Sequence, residues 1–204
     1  MKLLKDRKFA ILITVVVAVL ATLFGVYRTS SRGAGRVEAM FFDGVFLQER
    51  GFTEPGIESH LENSADSVLS LTSVFGNYPE LADKNEALVE ARRNLLGASG
   101  VAGKSDAFFE MWKMYDSLLD AAESVSLSER DSAAVSQLSE SFRGALIAIR
   151  NSAYNDKVIE YRDGRSIFTV LIGGLVAAKI PSSFGAIYTI EKEAPELFRA
   201  SGGT

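Results

Sequence analysis

The chain has 204 residues, enough for a membrane anchor and one domain, and its charge is nearly balanced, with 22 Lys and Arg against 26 Asp and Glu. This balance excludes a broad basic surface for nucleic acid, and the lack of cysteine excludes disulfides, thiol nucleophiles and cysteine-bound metal centres. With only 4 prolines, the composition favours long helices over a turn-rich β fold.

The first predicted element is a membrane-spanning helix over residues 9–27, which carry no charge. At 1.5 Å per residue the stretch measures about 28 Å, close to the ~30 Å hydrocarbon core of a bilayer. Its Leu, Ile, Val and Phe side chains each favour insertion by up to ~0.5 kcal/mol near the bilayer centre. The sequence therefore predicts a single-pass protein of the cell membrane, whose first partner is the lipid bilayer.

The basic segment 1–8 leaves a cleaved signal peptide as an alternative to a retained anchor. Its positive charges are those of Lys2, Lys5, Arg7 and Lys8. Retention is favoured, because the apolar stretch is longer than a usual signal core and residues 26–28 lack the small residues of a cleavage site. Arg28, Arg32 and Arg36 follow the stretch, so the positive-inside rule only slightly favours an extracytoplasmic domain.

Beyond the anchor, small residues predict a flexible linker over residues 28–36. Residues 37–48 are apolar enough for a short helix, and the turn residues of 51–56 then break the chain. A helical bundle is expected to begin with that short helix and to extend over residues 37–165.

Four longer amphipathic helices follow, because apolar residues recur three or four positions apart. The first is expected to end at Gly76 and the second at Gly97, and Ser128 with Asp131 predicts a capping box that opens the fourth. The predicted apolar stripes are Ile57, Leu61, Ala65, Val68, Leu71 and Phe75; Leu81, Leu88, Ala91 and Leu95; Phe108, Met111, Trp112, Tyr115, Leu118 and Leu119; and Val135, Leu138, Phe142, Ala145 and Ile149. The last stripe has coiled-coil spacing.

Helices joined by short loops bury such stripes against one another. The predicted fold class is therefore all-α, with an N-terminal transmembrane helix followed by an elongated antiparallel helical bundle.

Residues 98–105 read Ala-Ser-Gly-Val-Ala-Gly-Lys-Ser, a loose form of the phosphate-binding loop. That loop requires a buried strand before it, whereas a stretch with helical periodicity precedes it here. We therefore expect a flexible inter-helix loop rather than a nucleotide-binding enzyme, and we expect Lys104→Ala to leave the thermal midpoint unchanged.

The remaining polar residues form no recognisable catalytic or metal-binding pattern. His60, the one histidine, has no second metal ligand at helical spacing, so a solvated surface position is expected. Asp156 and Glu160 are interpreted as surface charge, because basic residues flank them. The sequence predicts no catalytic residue, no metal and no cofactor, and thus no enzyme.

The C-terminal part, residues 166–204, begins with the uncharged stretch 166–178, which is too short to span a bilayer. Gly173 and Ala177 have small-xxx-small spacing, which favours close packing on the bundle. Contact with the membrane surface, or a second span that extends to Ile190, stays open as an alternative.

Three stretches carry a family resemblance. Residues 65–71 read Ala-Asp-Ser-Val-Leu-Ser-Leu and lead to Asn77-Tyr78, and one helix later comes Glu90-Ala91-Arg92. The most specific is the pattern Tyr-Asn-x-x-Val-x-x-Tyr, formed by Tyr154, Asn155, Val158 and Tyr161. Together with the anchor, these stretches resemble the LemA family of bacterial membrane proteins. The resemblance implies an elongated helical bundle of unassigned biochemical role, in which the four signature residues pack helices together or contact a partner.

The favoured function is a LemA-like, non-enzymatic interaction or scaffold bundle at the bacterial cell membrane, with an unknown protein partner or self-association and no nucleic acid. The alternative is a membrane-anchored four-helix sensor, which would hold a small ligand between its helices and have a second membrane segment near residues 166–190.

Overall fold

The computed structural model describes residues 7–199, apart from the side chain of Phe168, and most of them are helical. The predicted all-α class is confirmed. Lys2 and Lys5 of the predicted basic segment, and residues 200–204 of the predicted tail, lie outside the described residues. In chain order the elements are α1 (Arg7–Asp43), β1 (Val45–Leu47), β2 (Phe52–Glu54), α2 (Ile57–Phe75), a 3₁₀ turn (Pro79–Leu81), α3 (Ala82–Gly97), α4 (Gly100–Ala122), α5 (Glu129–Arg150), α6 (Ala153–Asp163), α7 (Ile167–Leu175), α8 (Ala186–Glu193) and α9 (Glu196–Arg199).

The chain forms two compact units, which we call the anchor unit and the bundle unit. The anchor unit contains residues 7–39 and 157–181, and the bundle unit contains residues 40–156 and 182–199. The predicted bundle of residues 37–165 therefore differs from the observed unit, because the second half of α6 belongs to the anchor unit and part of the predicted tail belongs to the bundle.

The bundle unit is built on α2–α5, whose predicted apolar stripes form its core. α2 packs against α3 and α5, and α3 packs against α4. Short connections between packed helices are typical of an antiparallel bundle. All residues of the first two predicted stripes are buried, as are all of the third except the half-buried Leu119. Each buried Leu or Phe contributes about 1.5–3 kcal/mol through loss of contact with water.

The fourth bundle helix, α5, begins at the predicted capping box but follows its predicted seam only in part. The Oγ of Ser128 accepts a hydrogen bond from the backbone N–H of Asp131 at 3.1 Å. Phe142 and Ile149 are buried as expected, and Leu146 lies between them in the core. The half-buried members of the predicted seam are Val135, Leu138 and Ala145.

Aromatic rings from distant parts of the chain meet in the bundle core. The ring of Phe142 stacks on Tyr115 at 4.2 Å and on Phe108 at 6.2 Å between centroids. Phe184, from the predicted tail, lies 5.8 Å from both Phe108 and Phe41. The next helix, α8, packs against α4 and α5. Burial of this apolar surface explains why residues 182–199 join the bundle, whereas residues 166–181 of the predicted C-terminal part belong to the anchor unit.

The helix predicted over residues 37–48 is formed only as far as Asp43, as the end of α1, and a short β-hairpin begins at Val45. β1 pairs antiparallel with β2, and Val45 lies opposite Glu54. Gly44 has a φ of 88° and lies against the carbonyl oxygen of Glu54, where a Cβ would not fit. The overlooked signal is a pair of β-prone runs around a short loop that ends in Gly51, which is typical of a hairpin.

The predicted linker over residues 28–36 is also wrong, since α1 is one continuous helix of 37 residues. Helical glycine costs about 1 kcal/mol relative to alanine, which is too little to break a helix that packs well. Ser30 and Ala34 are buried on α1, so the small residues serve close packing rather than flexibility.

The apolar stretch 166–178 forms the short helix α7 and a turn. The Oγ of Ser166 caps α7 by accepting a hydrogen bond from the N–H of Thr169 at 3.2 Å. α7 has 9 residues, or about 13 Å, and residues 178–185 after it are not helical. A second helical span that extends to Ile190 is therefore not formed. Within residues 7–199, α1 alone is long and apolar enough to cross a membrane.

Candidate functional site

The first half of the predicted signature, Tyr154 and Asn155, is buried in the bundle unit. The Oη of Tyr154 donates a hydrogen bond to the carbonyl oxygen of Ser182 at 2.5 Å, and its ring meets Phe41 edge to face. The Nδ2 of Asn155 donates to the carbonyl oxygen of Ile149 at 3.0 Å. These contacts indicate a packing role for both residues, because neither is available to a partner at the surface.

The second half of the signature, Val158 and Tyr161, belongs to the anchor unit. Val158 is buried, and the Oη of Tyr161 donates a hydrogen bond to the carbonyl oxygen of Ser30 at 2.6 Å. The ring of Tyr161 lies over Gly33, where an added Cβ would come within 2.7 Å of its Cε2 atom. Gly33 thus permits the close approach of α6 to α1.

A cleft of about 760 Å³ surrounds this contact, and we call it the α1–α6 cleft. Its volume lies within the range of small-molecule sites. All of its lining residues belong to the anchor unit. They are Gly25, Val26, Thr29, Ser30, Gly33, Arg36 and Val37 of α1; Lys157, Glu160 and Tyr161 of α6; and Gly164, Arg165, Ser166 and Thr169 at the start of α7.

The charges of the α1–α6 cleft are predominantly positive. Arg36, Lys157 and Arg165 oppose the single carboxylate of Glu160, so the lining carries a formal charge of three minus one, or +2. The carboxylate pairs with Lys157 at 2.6 Å. The buried Nε–H of Arg165 makes no hydrogen bond within the part of the chain that the structure describes. An unpaired guanidinium N–H is costly to bury, so the cleft is suited to an anionic acceptor.

Sequence reasoning missed this cleft, although one signal for it is present. Gly25, Thr29 and Gly33 follow each other at four-residue spacing, the small-xxx-small pattern of close helix contacts. The same pattern at Gly173 predicts close packing, whereas the small residues after the anchor also fit the flexible linker that we expected there. No local pattern, however, indicates that Arg165 lines the same cleft.

The outer surface of α7 is strongly apolar. Ile167, Leu171 and Leu175 are 80, 66 and 80 % exposed, respectively, and Val170 is also exposed. These side chains recur at i, i+4 and i+8, so they share one face of the helix. Exposed apolar surface of this kind marks contact with another apolar body.

The flexible inter-helix loop predicted over residues 98–105 is wrong for most of its length, because α4 begins at Gly100. Lys104 is only 8 % exposed, and its Nζ lies 3.4 Å from the carboxylate of Glu58. The Oγ of Ser105 accepts a hydrogen bond from the N–H of Ala186 at 2.7 Å. Both side chains therefore serve the bundle core. This corrects our expectation that Lys104→Ala is neutral.

His60 is half-buried, which corrects the prediction of a solvated position. Partial burial lowers the pKa of His60, and the nearby charge of Glu54 opposes that shift. Asp156 and Glu160 are exposed, in agreement with their interpretation as surface charge. Among residues 7–199, no three His, Asp or Glu side chains are grouped so that they could hold a metal ion.

A cavity of about 190 Å³ between α4 and α5 is one place where a bundle sensor could hold a ligand. Partial burial raises the pKa of Asp116, one of its lining residues, and the charges of Asp120 and Glu196 raise it further. Burial also raises the pKa of Tyr115, against a hydrogen bond to Ser139. This cavity is smaller than the ~300 Å³ at which sites for drug-sized ligands begin, whereas a second cavity of about 430 Å³, which shares Leu119 and Ser139 with it, is larger than that.

Comparison with protein-family models, with curated proteins and with solved structures finds no match for this chain. The resemblance to the LemA family stays a prediction, carried by the order of the sequence motifs. The α1–α6 cleft and the exposed faces of α1 and α7 are therefore interpreted from their own geometry and charge.

Proposed function

We propose that this protein is a non-enzymatic interaction protein, anchored in the bacterial cell membrane by α1 and presenting its helical bundle to a protein partner or to further copies of itself. The observation that carries the proposal is the exposure of α1. Its most apolar stretch has no residue buried by the rest of the chain. Ile11 and Leu20 are 57 and 59 % exposed.

Exposure on this scale distinguishes α1 from a core helix of a soluble protein. A core helix hides its apolar side chains within the protein, whereas residues 11–22 of α1 are exposed without exception. A bilayer removes this surface from water on all sides of the helix at once, with each large aliphatic residue favouring insertion by about 0.3–0.6 kcal/mol. Lipid is therefore the partner that best accounts for α1.

The apolar face of α7 supports a second contact with the same membrane. α7 belongs to the same compact unit as the exposed stretch of α1 and is too short to span a bilayer. A short helix with one exposed apolar face is suited to lie in the plane of the interface. The proposal is thus one span through residues 9–27 and one surface helix, α7.

The LemA resemblance supports a bacterial membrane protein whose bundle acts by interaction, without a cofactor. The charges around the span favour an extracytoplasmic bundle only slightly. The alternative sensor function is less favoured, because no second helical span is formed within residues 7–199.

Anchoring is tested by washing vesicles that contain the full-length chain with alkaline carbonate. We expect the protein to stay in the membrane pellet, and its release into the supernatant would contradict the proposal. Reporter fusions after residues 36 and 204 then test the topology. Both reporters should be active on the outer side, whereas reporters on opposite sides would require a second span.

A further inference from the structure

The α1–α6 cleft changes in character along α1. Gly25 and Val26 line one end of it, inside the stretch predicted to span the bilayer. Arg36 lies ten to eleven residues further along the same helix, or about 15–17 Å. The cleft thus extends from Gly25 and Val26, beside the hydrocarbon, to Arg36 beyond it. Arg165 comes four residues after Tyr161 of the antiparallel α6, so it lies between these two levels or nearer the first. An apolar wall followed by cationic groups is the order of parts in a phospholipid.

The position of the cleft along α1 also fits the headgroup layer. That layer extends about 5–8 Å beyond the hydrocarbon core on each side. Thr29 and Gly33 lie about 3 and 9 Å beyond residue 27 along the helix axis. Long arginine side chains extend their charged ends towards lipid phosphates, which brings the guanidinium of Arg36 within reach of this layer.

We propose that the α1–α6 cleft binds an anionic phospholipid through its phosphodiester group. The guanidinium groups of Arg36 and Arg165 donate charge-assisted hydrogen bonds to the phosphate, and an acyl chain lies along Gly25 and Val26. This inference rests on the proposed insertion of α1 in a bilayer.

Three features of the cleft favour this ligand. Its formal charge of +2 complements an anion, and the buried Nε–H of Arg165 lacks an acceptor within the described chain. The hydroxyl groups of Ser166 and Thr169 lie 2.9 Å from each other at the start of α7 and provide neutral donors beside Arg165. The apolar face of α7 belongs to the same unit, so the acyl chains of the lipid and the apolar side chains of α7 would share one environment.

The carboxylate of Glu160 bears on which headgroup is preferred. It is paired with Lys157 at 2.6 Å. Arg36 and Arg165 are thus the lining cations for which no ion pair is formed within the described residues, although the Nη2 of Arg165 donates a long hydrogen bond of 3.5 Å to the carbonyl oxygen of Thr169. A headgroup with an added ammonium group would bring a third positive charge next to them. The cleft should therefore prefer phosphatidylglycerol to phosphatidylcholine.

Native mass spectrometry of the full-length chain in detergent tests this preference. Phosphatidylglycerol and phosphatidylcholine are added separately, and the bound fraction of each is measured. We expect at least about tenfold tighter binding of phosphatidylglycerol, the size of one charge-assisted hydrogen bond. Equal binding of the two lipids would overturn the inference.

A matched pair of double variants tests the place of binding. Arg36→Gln with Arg165→Gln should reduce the preference to less than about twofold. Arg28→Gln with Arg32→Gln removes the same charge from exposed positions of α1 outside the cleft and should leave the preference intact. Equal losses in both variants would indicate general attraction to positive charge and would contradict a site.

Two further arms complete the test. If the double variant loses its helical circular dichroism, Arg36→Gln alone serves in its place, because the side chain is exposed. Inorganic phosphate at millimolar concentration should not displace the lipid, and displacement would assign the cleft to a soluble phosphate instead. Release in carbonate would refute the anchor, whereas equal lipid affinities would refute only the cleft assignment.

Discussion

The two units use the same apolar residue types in opposite ways. In the bundle unit, Ile57 and Leu61 are buried on one face of α2, and polar residues cover its other face. In the anchor unit, Ile11 and Leu20 are exposed and no polar face opposes them. The pattern of apolar residues therefore indicates what covers a helix. A helix with apolar residues on one side packs against other helices, whereas a helix that is apolar on all sides is suited to lipid.

The contacts within each unit differ as well. The bundle core is filled by large side chains, such as the stacked rings of Tyr115 and Phe142. In the anchor unit, α6 approaches α1 through Gly33, under the ring of Tyr161. Interlocking large side chains suit a core formed in water, and small residues suit close contact between helices in or near lipid.

The largest effect is expected from placing a charge in the bundle core. Phe142→Asp removes a buried ring and leaves a carboxylate without a partner, so the bundle should lose more than about 4 kcal/mol of its free energy of unfolding. Such a loss approaches the whole stability of many domains. Thermal unfolding of the full-length protein in detergent, followed by near-ultraviolet circular dichroism, measures it. Ser136→Asp, at an exposed site of α5, is the control, and equal midpoints for the two variants would refute this core.

The comparison between the units is tested directly by the same substitution at an exposed valine in each. Val16 of α1 is 48 % exposed and Val89 of α3 is 36 % exposed. If lipid covers α1, Val16→Asp should cost about 3 kcal/mol of insertion free energy, whereas Val89→Asp should change stability by less than about 0.5 kcal/mol. The retained fraction after a carbonate wash measures the first effect and a thermal midpoint measures the second. Equal tolerance at both sites would show that water, not lipid, surrounds α1.

The bundle helices were predictable because their signals are local. The stripe from Ile57 to Phe75 coincides with the observed bounds of α2, and the capping pair Ser128 and Asp131 opens α5. Periodicity identifies a face that must be buried and a cap identifies where a helix begins, without any knowledge of neighbouring elements. The apolar stretch of residues 9–27 was predictable for the same reason.

The cleft and the partly buried ion pair of Lys104 and Glu58 were not predictable, because each depends on residues far apart in the chain. Gly33 and Tyr161 meet across 128 positions of sequence, so the glycine alone indicates either flexibility or close packing. Lys104 likewise lies in a sequence that is typical of a flexible loop. Only the structure shows that Glu58, from another helix, lies beside it. The role of a small or charged residue depends on the residue that it contacts, and the periodicity of the sequence does not identify that contact.

Lys104→Ala should therefore lower the stability of the bundle by about 1–3 kcal/mol. The substitution leaves the carboxylate of Glu58, whose side chain is 29 % exposed, without its counter-charge. Arg93→Ala breaks the exposed pair with Glu90 and should cost less than about 0.5 kcal/mol, which makes it the control. Chemical unfolding of both variants measures the difference. A neutral Lys104→Ala would mean that the ion pair with Glu58 does not stabilise the bundle.

Two glycines on α1 test the close contact within the anchor unit. Alanine at either position gains helix propensity of up to about 1 kcal/mol. At Gly35 nothing lies within 4 Å of the added Cβ, whereas at Gly33 the Cβ would come within 2.7 Å of the ring of Tyr161. Gly35→Ala should therefore raise the thermal midpoint and Gly33→Ala should lower it, by a net loss of about 1 kcal/mol. A rise in both variants would mean that α6 does not approach α1 at this point.

The smallest effects concern pH, and they belong to the bundle unit. Hydrogen bonds from Tyr78 and Ser128 hold the pKa of Asp131 below its ordinary value. Its contribution to stability is therefore present above that ordinary value and is lost as pH falls through the lowered pKa. Asp116 behaves in the opposite sense, because burial raises its pKa: its contribution is present below the ordinary value and is lost as pH rises through the raised pKa.

Variants with an uncharged side chain separate the contributions of Asp131 and Asp116 to the stability of the bundle. They also test whether anchoring is independent of that stability. Asp131→Asn should reduce the fall of the thermal midpoint in acid, and Asp116→Asn should reduce its fall as pH rises from the acid range towards neutral. Neither variant should change retention in vesicles at any of these pH values, because residues 9–27 contain no acid and no base that titrates there. If retention in vesicles fell together with the thermal midpoint, anchoring would depend on the folded bundle. The opposite use of apolar residues in the two units implies instead that anchoring and bundle stability are independent.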